Sequence, residues 1–124
     1  MWYNILMLSL EIIGGNRIEQ TLTAQAVTFA FNQLIPRIKK CTLNVYLVSS
    51  DSCFEIDDRE YEIRINKNQK GDDFLTAIFH EMVHVKQYIR GDLDEDSSLD
   101  YFDRPIEIEA YRLQEELLEK WKIK

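Results

Sequence analysis

Residues 77–84 read AIFHEMVH, in which two histidines four positions apart, the first followed by a glutamate, interrupt a run of Ala, Ile, Phe, Met and Val. On a helix, side chains four apart lie one turn above each other, so the rings of His80 and His84 can converge on one point. That pair constrains the whole fold. The segment must be helical and partly buried. If the rings hold a metal ion, another element must bring a further donor to them, because zinc takes three or four N, O or S ligands at about 2 Å.

A helical wheel places the intervening glutamate. With His80 at zero, Ala77, Tyr88, Phe74, Val85, Ile78, Ile89 and Met82 fill an apolar arc from roughly 60° to 200°. The histidines sit at its edge and Glu81 falls inside it, at roughly 100°. A buried carboxylate is costly unless it is paired, hydrogen-bonded or put to chemical use. The pattern is HExxH, whose glutamate acts as general base in zinc peptidases, and Glu81 is the candidate catalytic residue.

Two histidines do not close a catalytic zinc site, and the chain has no third. A three-histidine site of the metzincin kind is therefore excluded. Cys41 and Cys53 lie upstream on strand-like segments and are poorly motivated as ligands. Downstream, PIEIEAY offers Glu107 and Glu109. The apolar face of that helix consists of Ile106, Ala110, Tyr111, Leu113, Leu117, Leu118 and Trp121. Glu107 falls roughly 50° from the middle of this face and Glu109 roughly 110° away. Glu107 is thus the expected third ligand, and Glu109 the alternative that belongs with the solvated face. Ala110, one turn on, is small enough to let two helices approach closely.

HEMVH followed by PIEIEAY resembles the gluzincin type of zinc peptidase, most of all its minimal, phage-type members, which are single-domain zincin-like proteins of about this length. The resemblance covers His80 to about Trp121. It implies a zincin-like core and one Zn²⁺ per chain held by His80, His84 and Glu107. Related ExxA patterns use the first glutamate as ligand, which again maps to Glu107. It further implies hydrolysis of a peptide or protein substrate, with Glu81 as general base. An edge strand beside the site would align the substrate, and REYEIRIN is its counterpart by order. Tyr111 stands where the type often carries an acid or amide supporting a histidine, so the resemblance does not say what orients the rings. Tyr88, Tyr101 and Arg104 are the candidates for stabilising an oxyanion, none of them assigned. The alternative function is a zincin-like module that keeps zinc for protein–protein interaction without turnover.

The remaining pattern gives an α+β order within one domain spanning residues 1–124. NILMLSLEI (Asn4 to Ile12) reads as one buried strand, ended by Gly14-Gly15. Leu22, Ala26, Phe29, Ala30 and Leu34 recur at helical steps between about Ile18 and Lys40, with Pro36 kinking or ending the helix. LNVYLVS is a strand. CFEID and REYEIRIN form a hairpin about Asp57-Asp58, with Tyr61, Ile63 and Ile65 on one face and Glu60, Glu62 and Arg64 on the other. The HExxH helix runs from an N-cap at Asp72 or Asp73 to Arg90, with Gly91 at its end. Asp92 to Asp103 is an acidic loop, and Pro105 opens the last helix. The sheet is expected to be mostly antiparallel or mixed.

Charge narrows the function classes. The 124 residues carry 22 acids against 15 Lys and Arg, a net charge of −7. Sequence-independent nucleic-acid binding rests on many Lys and Arg contacts to phosphate, so nucleic acid is not an expected partner. The run DLDEDSSLD reads as a solvated loop rather than a nucleic-acid mimic. Two cysteines do not make a disulfide framework and are expected as reduced thiols. The apolar N-terminus lacks a preceding basic residue, contains Glu11 and is too short to span a bilayer. The expectation is a cytoplasmic protein without a membrane partner. No oligomeric state is legible.

Overall fold

Alternation along three strands decides which side of the sheet is covered. The computed structural model describes residues 2–5, 8–36, 40–91 and 99–123. Among them the elements run β1 (Trp2–Ile5), β2 (Leu8–Ile13), α1 (Arg17–Leu34), β3 (Cys41–Val48), β4 (Ser52–Asp57), β5 (Glu60–Asn66), α2 (Asp72–Arg90), a 3₁₀ turn (Tyr101–Asp103) and α3 (Pro105–Ile123). In β2, β3 and β5 alternate residues are buried: Leu8, Leu10 and Ile12; Cys41, Leu43, Val45 and Leu47; Tyr61, Ile63 and Ile65. Register joins these sets into rows, with Leu10 opposite Leu43, Val45 opposite Ile63 and Leu47 opposite Ile65. A one-residue slip would turn every one of them outward. The opposite face carries Thr42, Asn44, Glu60, Glu62 and Arg64, none of them buried. The helices therefore cover one face only.

The sheet is five-stranded, in the order β1-β2-β3-β5-β4. It is mixed: β2, β3 and β5 run parallel, and β1 and β4 pair antiparallel at the two edges. The fold is thus α+β, as expected. The N-terminal apolar run differs from expectation, since the structure divides it into two antiparallel strands, β1 and β2. Periodicity cannot reveal such a break inside a continuous apolar run. The edge-strand assignment is also corrected. REYEIRIN, as β5, lies inside the sheet between β3 and β4, and the edge on that side is β4, SCFEID. Hairpin order alone does not say which arm a third strand will join; here the alternately buried arm went inside.

The connection from β2 into α1 requires glycine. Gly14 has φ +88°, and a Cβ there would lie 2.7 Å from the Leu47 carbonyl oxygen. A reciprocal cap follows: Asn16 Oδ1 accepts from Glu19 N–H at 2.8 Å, and Glu19 Oε1 accepts from Asn16 N–H at 2.8 Å. α1 stops at Leu34 rather than continuing toward Lys40, because the residue before a proline disfavours helical backbone. Residues 37–39 of the expected helix lie outside the described residues, as do residues 92–98 of the expected acidic loop.

The N-cap of α2 falls one residue before Asp72 and two before Asp73, the expected caps. Gly71 occupies the N-cap without a side-chain bond, and Asp72 and Asp73 sit in the first turn, where their charge favours the helix dipole. Gly91 closes α2 in the left-handed conformation, as expected. α2 packs on β4 and β5, between α1 on one side and α3 on the other. No described helix is long and apolar enough to cross a membrane. Cys41 is buried and Cys53 partly buried, both free thiols.

Candidate metal centre

Two helices build the centre. α2 contributes His80, Glu81 and His84 from its middle turns, all under a tenth exposed. α3 begins at Pro105, which puts Glu107 in its first turn, facing inward beside Ile106. Glu107 is 3% exposed, and Ala110, one turn on, is fully buried. α3 packs against α2, and the packing brings Glu107 to the histidines.

Both ring Nε2 atoms lie close to one carboxylate oxygen. Glu107 Oε1 lies 3.0 Å from His80 Nε2 and 3.3 Å from His84 Nε2. The rings themselves are nearly perpendicular, at 83°, with centroids 4.9 Å apart. Tetrahedral geometry with bonds of about 2 Å places neighbouring ligand atoms roughly 3.3 Å apart. The two distances to Glu107 lie close to that figure. The three residues form a group able to hold a metal ion, with one donor atom from each lying within 4.8 Å of the others.

The tautomers strengthen this fit. His80 Nδ1 lies 2.7 Å from Gln114 Oε1, and His84 Nδ1 lies 2.7 Å from Gln87 Oε1. An amide oxygen can only accept, so each Nδ1 carries the proton and donates it. In the neutral rings each Nε2 then carries a lone pair, close to the Glu107 oxygen. With both rings neutral, two imidazole nitrogens and a carboxylate oxygen meet there as acceptors, a donor set suited to a cation. Burial also holds the His80 pKa below its ordinary value, against the opposing pull of Gln114 and Glu107.

Gln87 and Gln114 were not legible as functional residues, yet a signal was present. Gln114 follows Glu107 by seven residues and so lies on the same stripe of α3; it is buried there among Ala110 and Leu117. Gln87 follows His84 by three on α2 and is fully buried. A polar residue on an otherwise apolar stripe is the mark in both cases. Gln87 also spans the helix pair, donating through Nε2 to Ile106 O and to Glu109 Oε1, each at 2.9 Å. Tyr111 has a different part: it is 39% exposed rather than on the buried face, and its ring packs on His80 with centroids 4.7 Å apart.

Glu109, the alternative ligand, turns away from the triad. It accepts from Arg90 at 2.6 Å as well as from Gln87. Burial opposes its ionisation, but these donors outweigh burial and hold its pKa below the ordinary value. Its position is structural, tying the start of α3 to the end of α2.

Glu81 lies beside the triad and lines the clefts on both sides of it. Among the described residues nothing donates a hydrogen bond to its carboxylate. Burial, then the nearby charges of Asp51 and Glu107, push its pKa up to about 8. A cation in the triad would act in the opposite direction.

The three oxyanion candidates separate clearly. Tyr101 lines both clefts, and burial together with a hydrogen bond to Glu107 raises its pKa. Tyr88 borders only the second cleft, with its hydroxyl directed at the Cys53 carbonyl oxygen at 3.4 Å. Arg104 lines neither; its Nε donates to Leu99 O at 3.4 Å and its guanidinium lies over the Tyr101 ring.

No family model, curated protein or solved structure matches the chain, so a functional reading rests on this geometry and on the sequence motif.

Proposed function

We propose that the chain is a zinc-dependent peptidase of zincin-like build. His80, His84 and Glu107 hold the ion, and Glu81 serves as general base. The observation that carries this reading is the joint arrangement of two anchored imidazoles, an inward carboxylate and a second buried carboxylate, Glu81, with no hydrogen-bonding partner among the described residues. A bound zinc ion would supply Lewis acidity toward a carbonyl and acidify water. The donor set of two imidazole nitrogens and one carboxylate oxygen suits zinc with one coordination place left open.

The chain's own groups divide the remaining work. Gln87 and Gln114 fix the ring tautomers, so that neither histidine must rearrange to bind. Glu81 accepts a proton from water in the cleft and delivers it to the departing amine. β4 offers a sheet edge next to the centre, since Ser52 and Cys53 line the same cleft as Glu81 and His84. An extended peptide can add there as a further strand. Tyr101 reaches into both clefts, and its hydroxyl would donate to an oxyanion by turning from Glu107.

The alternative of a zinc-keeping interaction module leaves Glu81 unexplained. A buried carboxylate without a hydrogen bond destabilises a fold and is not needed to bind zinc. The test measures metal content and peptide-library hydrolysis for the wild type and Glu81→Gln. The expected result is about one zinc per chain in both, with cleavage reduced at least about 100-fold in the variant. Zinc-loaded wild type without Glu81-dependent cleavage would favour the module. Protein that takes up no divalent metal would remove both readings.

A further inference from the structure

We propose that the cleft on the His80 side of the centre binds the positive group of a substrate, a Lys or Arg side chain or a free α-amine. This rests on the peptidase reading and adds a substrate class to it: cationic peptides.

The cleft has a volume of about 270 Å³, and its walls include Asp51, Asp73, Glu81, Tyr101 and Tyr111. No Lys or Arg is among its described lining residues, although the chain has 15 of them. Three carboxylates therefore share one concavity without a positive partner inside it. Two phenol rings complete the walls, and their faces attract a cation as well.

Asp51 is fixed in place rather than merely nearby. Its Oδ1 accepts from the Asn66 backbone N–H at 2.7 Å and from Gln69 Nε2 at 3.2 Å. Its Oδ2 has only a long contact to the same amide, at 3.4 Å, which leaves acceptor capacity toward the cleft. Like charges gathered around a low-dielectric concavity focus the field and select the opposite charge.

Glu81, which the peptidase reading also uses, adds a sign that a ligand belongs beside it. It is 6% exposed and lines the cleft, and among the described residues it has no hydrogen-bond donor. Its carboxylate faces a space that the protein does not fill. Asp51 and Asp73 carry the recognition, which leaves Glu81 for proton transfer. The substrate's positive group would sit beside the reacting bond, on the Gln114 flank of the triad.

The test uses zinc-loaded full-length protein and matched peptides bearing Lys, Arg, norleucine or Glu at each position around the cleaved bond, with and without N-acetylation. The wild type should cleave Lys or Arg peptides about five- to tenfold better, in kcat/KM, than norleucine peptides. Asp51→Asn should shrink that ratio to within about twofold, and Asp51→Lys should turn the preference toward Glu. Glu116→Gln, on the exposed face of α3, should leave the ratio as it was. A preference abolished by acetylation would identify the α-amine as the bound group. One that follows the side chain would identify Lys or Arg.

Equal cleavage of cationic and neutral peptides, or a preference that survives Asp51→Asn, would overturn the proposal while leaving the peptidase reading standing. If no peptide is cleaved in a Glu81-dependent manner, the peptidase reading fails first. Calorimetric binding of the same peptides then decides the cation site. Tighter binding of Lys peptides that is lost in Asp51→Asn supports it, and equal binding removes it.

Discussion

α2 faces two seams of opposite character. Toward α1 it presents Phe79, whose ring meets Phe29 at 6.0 Å and Trp121 of α3 at 6.0 Å, with Phe29 and Trp121 edge-on at 5.4 Å. Toward the start of α3 it presents His80, His84 and Gln87, which meet Glu107, Glu109 and Gln114 through hydrogen bonds and close polar contacts. The first seam is held by area and shape, and is tolerant of chemistry as long as volume is kept. The second is held by direction and depends on every donor finding its acceptor. One helix thus serves as core on one side and as site on the other, and the two sides should fail differently.

The largest effect belongs to the apolar seam. Phe79→Ala should cost about 3–5 kcal/mol of unfolding free energy in urea, while the variant that remains folded still binds zinc in the wild-type ratio. A loss of zinc stoichiometry in folded Phe79→Ala would mean that the seams are not separable. Glu107→Gln should act in the reverse sense. It should weaken zinc binding by at least about 100-fold, roughly 2.7 kcal/mol, measured by competition with a chelator. In metal-free protein the same variant should be neutral or slightly stabilising, because it removes a charge from three converging acceptors. Clear destabilisation of the metal-free form would show that Glu107 holds the fold rather than an ion.

Smaller effects probe the supports. Gln114→Leu and Gln87→Leu should each lower zinc affinity about 10- to 100-fold, since second partners of ligating histidines have that influence. Gln87 should also cost stability, because it ties Ile106 and Glu109 across the helix pair. Glu109→Ala should leave zinc content nearly unchanged and cost less than about 1 kcal/mol, as expected for a partly exposed pair. If it empties the site while Glu107→Ala does not, the ligand assignment is reversed.

An effect of comparable size lies in the sheet. Burial pushes the Cys41 thiol from its ordinary 9.0 up to about 12. The native state therefore keeps a proton that the unfolded chain releases. That stability is fully present below about pH 9 and is lost progressively as pH rises toward 12. Between pH 8 and 10 wild-type stability should fall by about 1 kcal/mol more than that of Cys41→Val. Parallel pH profiles for the two proteins would show the thiol to be accessible.

Legibility in the sequence followed the same division. Helical spacing placed His80 and His84 on one edge and favoured Glu107 over Glu109, because a wheel measures direction and direction is what a ligand needs. The same wheel put Tyr111 on the buried face, where the structure leaves it 39% exposed. It did not single out Gln87 or Gln114, since a lone glutamine carries no motif. Alternation found the two faces of β5 correctly. It could not show that β5 inserts beside β3 and leaves β4 at the edge, because strand order depends on pairing partners distant in the chain.

The sequence alone determined the local periods: a helix with two imidazoles in line, a second helix with one inward acid, and strands with one apolar face. Those features follow from backbone geometry acting over a few residues. Only the tertiary structure decided that two glutamines, one on each helix, would turn the rings. It also decided that Asp51, from the far side of the sheet connection, would share a cleft with Glu81. Such meetings depend on packing between segments remote in sequence, which no local period encodes.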